Sequence, residues 1–305
     1  MEERSRIGTG TPEVGVKIKE GLLSVGGCMK VAKATWVVKK AIHPGERSPM
    51  VTKTVAVAFC GFLLLNNRAH ALIDAELASG DIARAVVGIV GPHNSFCTAT
   101  AIAHDMLLTA AHCVQPGSPY KGQYKDATGL RQFSDAVDAE RAPQYKPGTP
   151  TSPPLADLAL LKLATPLPSN VGIASLALSG PSVWPGDRFT VIGGGIPFRG
   201  LHETGINREA ALVAAGPYTS LQIRLVDPSA KEAESGACFG DSGSPVFQVQ
   251  PNSAKVVGVV SWATGPNKTK GCGGMTGATP LLPYRQWIEG TMTKFGSSSA
   301  NDVTK

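Results

Sequence analysis

Beyond Leu72 the apolar residues come in short runs, each cut off by Gly, Pro, Asn or Asp, and this punctuation restricts the fold more than any other feature. Val86–Val90, Thr98–Ile102, Met106–Leu108, Leu158–Leu163, Phe189–Ile192, Leu221–Val226, Pro245–Val249 and Val256–Trp262 read as strands. Gly91-Pro92, Pro116-Gly117, Pro185-Gly186 and Pro251-Asn252 read as turns between them. Many short strands with frequent turns define an all-β sandwich or barrel. Only Pro283–Met292 has helical spacing, with Tyr284, Trp287, Ile288 and Met292 on one face.

The first 71 residues follow a different pattern. Val55–Leu65 is an unbroken apolar run of 11 residues, preceded by Lys53 and followed by Ala69-His70-Ala71, a small-x-small cleavage signal. A span of the bilayer core needs about 20 apolar residues, so this run reads as the core of a secretory signal peptide and not as a stable membrane anchor. Met50 begins a stretch that alone makes a signal peptide of ordinary length, which points to Met50 as the true start. The expected organisation is an extension plus signal peptide over 1–71, a first domain over 72–178, a second over 179–296 that ends in the helix, and a disordered tail over 297–305.

Charge follows the same division. Residues 1–71 hold 11 Lys and Arg against 5 Asp and Glu, whereas residues 72–305 hold 18 of each. The surplus of +6 therefore leaves with the leader, and with it the basic surface that nucleic-acid binding would need. Four cysteines remain, Cys97, Cys113, Cys238 and Cys272, an even number compatible with two disulfides in a secreted or periplasmic protein. Spacing leaves all three pairings open. No Cys-x-x-Cys pair occurs, and no metal or other cofactor is expected.

Three segments hold the chemistry: Leu108-Thr109-Ala110-Ala111-His112-Cys113, Asp157-Leu158-Ala159-Leu160-Leu161 and Gly240-Asp241-Ser242-Gly243-Ser244-Pro245. A serine hydroxyl is a weak nucleophile at neutral pH and needs a base to take its proton. Imidazole suits that role, and a buried carboxylate fixes its tautomer and steadies the imidazolium. N–H donors must await the oxyanion, and glycines beside the serine leave the backbone bare enough to supply them. The order His, Asp, Ser is the reverse of the order in αβ-hydrolases.

These motifs resemble those of the chymotrypsin and trypsin family over roughly residues 72–292. The resemblance implies two six-stranded antiparallel Greek-key β-barrels with a C-terminal helix and a site between the barrels. It makes His112 the base, Asp157 its orienting partner, Ser242 the nucleophile, and Gly240 and Ser242 the oxyanion donors. Ser261-Trp262-Ala263 resembles the strand that pairs with a peptide substrate. The implied disulfides are Cys97–Cys113 and Cys238–Cys272, each stabilising by about 3 kcal/mol. Gly236, six residues before the serine, would form the floor of the specificity pocket beside Ala237, with Ala263 at its mouth. Such a pocket cannot neutralise a basic side chain, so cleavage after apolar or small residues is expected. Asp241 would receive the ammonium of a new chain terminus, and Leu72 or Ile73 lies where that terminus belongs. The expected protein is a monomeric serine endopeptidase acting on protein or peptide substrates.

Overall fold

The computed structural model describes residues 72, 75–126, 129–149, 152–180, 183–196, 204–216, 221–229 and 235–297. The signal peptide, the alternative start and the tail beyond Ser297 lie outside these residues. The elements in chain order are β1 (Glu76–Leu77), α1 (Gly80–Arg84), β2 (Val86–Val90), β3 (Phe96–Ala103), β4 (Met106–Thr109), β5 (Lys121–Asp126), β6 (Gly129–Arg141) and β7 (Ala159–Leu163). They continue with β8 (Ser175–Leu176), β9 (Arg188–Gly193), β10 (Arg208–Ala214), β11 (Ile223–Val226), β12 (Pro245–Gln250), β13 (Ser253–Ala263), β14 (Thr276–Pro280) and α2 (Arg285–Lys294).

Two closed antiparallel barrels of six strands result. The first runs β2-β3-β4-β7-β6-β5 and closes where Gly88 of β2 pairs with Gln123 of β5. The second runs β9-β10-β11-β14-β13-β12 and closes where Val246 of β12 pairs with Val191 of β9. Closure leaves neither barrel with a free sheet edge. β1 pairs with β10, and β8 lies parallel to β13, so two short pieces from the first stretch of chain belong to the second barrel.

Strands the apolar pattern missed are the polar or small ones. β6 is mostly polar or charged and mostly exposed or half-buried, and the Tyr124 and Phe133 rings meet 5.9 Å apart across β5 and β6. β10 does alternate, with Arg208, Ala210, Leu212 and Ala214 inward, but alanine and arginine give little hydropathy contrast.

Each barrel has its own core, including Ile89, Leu107 and Leu161 in the first and Val191, Leu212 and Val260 in the second. A third cluster joins them: Met106, Leu108 and Leu160 meet Phe247, Val259, Leu281 and the α2 residues Ile288 and Met292. Burying each such side chain contributes roughly 1.5–3 kcal/mol, which fixes the two barrels against each other. α2 is also tied to the first barrel by Glu140 of β6, which accepts from Trp287 Nε1 at 3.2 Å, Thr291 Oγ1 at 3.1 Å and Lys294 Nζ at 2.6 Å. The hydrogen bond from Lys294 leads the effects that hold the Glu140 carboxyl below its ordinary range, against the opposing pull of burial. Ser297, which the sequence assigns to the tail, instead donates to Asp105 at 2.6 Å and accepts from Lys162 at 2.9 Å. Among the described residues no helix is long and apolar enough to cross a membrane.

Candidate active site

β4 ends at Thr109, and a single 3-10 turn, Ala111–Cys113, then turns the chain and projects His112. Asp157 comes from the chain just before β7 and has no solvent exposure. Its Oδ2 lies 2.7 Å from His112 Nδ1, and its Oδ1 accepts the His112 backbone N–H at 2.8 Å. One carboxylate thus fixes both the ring and the main chain of the same histidine. A third donor, Ser261 Oγ of β13, reaches Oδ2 at 2.6 Å and so satisfies the buried charge from the second barrel. Ala156, just before Asp157, takes φ +48°, a left-handed conformation costing a non-glycine residue about 1–2 kcal/mol. Strain of this kind persists where the surrounding packing fixes the turn.

Ser242 sits on a turn leading into β12. β3 holds that turn: the Thr98 N–H donates to Ser242 O at 2.9 Å, and Thr98 Oγ1 donates to Gly240 O at 2.8 Å. Gly243 is required, because its φ is +89° and a Cβ there would collide with Thr98 O and Thr109 Oγ1. Disulfides join Cys97 to Cys113 and Cys238 to Cys272. Cys113 Sγ stands 3.8 Å from His112 Nε2 and 3.8 Å from Ser242 O, so the imidazole and the serine backbone flank one sulfur. Cys97, His112 and Cys113 present ligand atoms within 4.8 Å of one another, but the two sulfurs are bonded together and offer no thiolate to a metal. Neither the Gly240 nor the Ser242 N–H meets an acceptor among the described residues.

Asp241 points inward and is fully buried. The Gly195 N–H donates to Oδ1 and the Cys238 N–H to Oδ2, each at 2.9 Å, and the backbone N–H of Leu72 is a further donor. Burial nevertheless pushes this carboxyl up to about 6, against the lowering effect of those N–H groups and the charge of Arg208. Gly193-Gly194-Gly195 makes room for Asp241. A Cβ on Gly195 would lie 2.6 Å from both the Asp241 N and its Oδ1. Leu72 is itself fully buried and holds φ +46°.

Gly236 and Ala237 lie against β14 and the loop before it. A Cβ on Gly236 would meet Gly274 O at 2.6 Å, and the Ala237 N–H donates to Thr276 Oγ1 at 2.9 Å. Thr276 is buried and pairs across strands with Ala263. Trp262 lies over Gly277, where a Cβ would strike its indole. Thr276 and the Ser261–Asp157 bond escape a reading of the sequence, because each joins segments far apart in the chain with no local motif.

Double-barrel serine hydrolases form the class to which this architecture and constellation belong. The sequence model of the trypsin family, described as Trypsin, matches residues 79–288. Kallikrein-11 of Homo sapiens is 29% identical over 210 residues, 64% of this chain and 71% of that protein. Trypsin of Sarcophaga bullata is 29% identical over 211 residues, 64% of this chain and 78% of that protein. A vitellin-degrading protease of Bombyx mori is 25% identical over 218 residues, covering 67% and 78%. The chain belongs to the trypsin family and is a serine-type endopeptidase that hydrolyses protein substrates.

Proposed function

We propose that His112, Asp157 and Ser242 form the catalytic triad of an exported, monomeric endopeptidase. The observation that carries this reading is the buried Asp157 carboxylate, 2.7 Å from His112 Nδ1, with Nε2 turned toward the disulfide that also flanks Ser242. With Nδ1–H donating to Asp157, Nε2 is left as the acceptor for the serine proton. Ser242 Oγ attacks the carbonyl, the proton passes to His112, and the imidazolium then delivers it to the departing amine. Water repeats the sequence on the acyl-enzyme. The acceptor-free N–H groups of Gly240 and Ser242 receive the oxyanion, and Ser261-Trp262-Ala263 aligns the substrate backbone.

Cleavage follows small or compact apolar residues. Gly236 and Ala237 offer no charge, and Thr276, buried with its hydroxyl committed to the Ala237 N–H, shortens the space opposite Ala263. Export removes residues 1–71 into a secreted or periplasmic compartment suited to the two disulfides, and the cut after Ala71 makes Leu72 the new terminus. Two observations support Leu72. Its backbone nitrogen already donates to Asp241, and its positive φ exists only while Ala71 is attached. Cleavage relieves that strain and supplies the ammonium that a buried carboxylate lacks. A fluorophosphonate probe tests the triad: it labels Ser242, and His112→Ala slows labelling at least a hundredfold. Equal labelling of the His112→Ala protein refutes the assignment.

A further inference from the structure

Ser244 stands just before β12 and is fully buried, yet its hydroxyl has no hydrogen-bond partner among the described residues. Its main chain is fixed on both sides. The Ser244 N–H donates to Asp241 O at 3.0 Å, and the Val260 N–H of β13 donates to Ser244 O at 2.9 Å. The side chain is thereby aimed at Gly193 of β9, where a Cβ would lie 2.6 Å from Ser244 Oγ and would also collide with Asp241 Oδ1. The unpaired hydroxyl and the buried carboxylate therefore face one small space, which the missing side chain of Gly193 keeps open. Buried hydroxyls are almost always paired, because an unpaired one gives up its bonds to water without replacement.

A count of donors and acceptors says what the hydroxyl lacks. Asp241 already receives the N–H groups of Gly195, Cys238 and Leu72. As part of a peptide bond, the Leu72 nitrogen brings one donor. A free ammonium at the same nitrogen brings three, and a buried ion pair is stable only when its remaining donors also find acceptors. Ser244 Oγ is a neutral acceptor beside Asp241 Oδ1, and its own O–H is left to donate to that carboxylate. A hydroxyl so bonded favours the charged form of both partners. Arg208 of β10, which pairs with Gly193, is the other charge that acts on Asp241. Glu76 of β1 lies opposite Glu209 of β10 and acts on that carboxyl, and β9 with its continuation faces Asp241 with Gly193 and Gly195.

We infer that Ser244 is a positioning residue of the Asp241 seat: its hydroxyl accepts from the Leu72 ammonium, donates to Asp241, and so holds the turn on which Gly240 and Ser242 present their N–H groups. The inference rests on the reading above that makes Leu72 the new terminus and Asp241 its partner. In the unprocessed chain the hydroxyl is buried without a partner, and in the processed chain it gains two. Its contribution to stability therefore changes with the cut.

Two measurements test the role. The first is a cycle of urea unfolding at pH 7 in the Ser242→Ala background, on chains that begin at Leu72 or at a Met added before it, each with and without Ser244→Ala. In the chain beginning at Leu72, Ser244→Ala raises the unfolding constant about tenfold, the effect of losing one hydrogen bond to a charged group. In the Met-extended chain it leaves that constant unchanged or lowers it, since only an unpaired hydroxyl is lost. An equal rise in both chains, or none in the chain beginning at Leu72, overturns the role of Ser244 and leaves the Leu72–Asp241 pair standing. Parallel pH dependence of the two chains that keep Ser244 removes the pair itself, and the inference falls with it. The second measurement is the pH profile of the active, processed enzyme. The alkaline limb of kcat/KM follows loss of the ammonium proton, so Ser244→Ala moves it down by about one pH unit, the same factor of ten. Ser244→Gly, which also lacks the hydroxyl, repeats the shift. A limb that stays in place while activity falls by one factor at every pH marks Ser244 as packing alone and overturns the inference.

Discussion

Keeping a residue attached before Leu72 should change how stability depends on pH, and the structure gives the size of the change. In the unprocessed chain Asp241 is fully buried, opposite the uncharged N–H of Leu72, and burial raises its carboxyl from 3.8 to about 6. A shift of two pKa units corresponds to about 3 kcal/mol. For an acid raised on folding, the stabilising contribution is present below the unfolded value and is lost as pH rises through the folded one. A form with Met added before Leu72, in a Ser242→Ala background that prevents autolysis, should therefore lose about 3 kcal/mol between pH 4 and pH 7. The form beginning at Leu72 places an ammonium against Asp241 and favours its charged state, so this loss disappears. Its own loss comes at higher pH, as the ammonium titrates. Urea unfolding of both forms from pH 4 to 9 measures the difference, and subtracting one curve from the other removes every other titrating group. Parallel curves would refute the pairing of Leu72 with Asp241.

Gly195→Ala should abolish the Asp241 seat, since the new methyl meets both the backbone and the carboxylate, and it should cost about 1–3 kcal/mol by thermal unfolding together with most of the activity. Glu140→Ala removes three hydrogen bonds that hold α2 to β6 and should cost about 1–3 kcal/mol. Because the Glu140 carboxyl is held low, its stabilising contribution is present above the unfolded value near 4.5 and is lost as pH falls through the folded one, so the gap from the Ala variant should close on acidification. Thr276→Ala should shift library cleavage toward larger apolar residues, and an unchanged profile would show that Thr276 does not limit the pocket.

The segments proposed as catalytic were legible because each sets its His, Asp or Ser within a run of tightly constrained neighbours: Ala110-Ala111 before His112, a buried strand after Asp157, and glycines around Ser242. The barrels were legible where both faces of a strand are apolar, as in β4 and β7, and illegible in β5 and β6, whose polar residues are paid for by ring contacts and pairing across the closure. Contacts that join distant segments left no local trace. Ser261 reads as part of a substrate-pairing strand, yet its hydroxyl goes to Asp157, 104 residues away. Nothing in the glycine run at 193–195 points to Asp241, because only the fold brings the carboxylate onto it.

The claim that Ser242 is the nucleophile is tested most directly by single-site kinetics on the processed protein. Ser242→Ala should keep its fold by circular dichroism and its two disulfides by non-reducing peptide mapping, while kcat/KM on a cleavable peptide falls by about four to six orders of magnitude. Turnover by Ser242→Ala within tenfold of the parent enzyme would contradict the account.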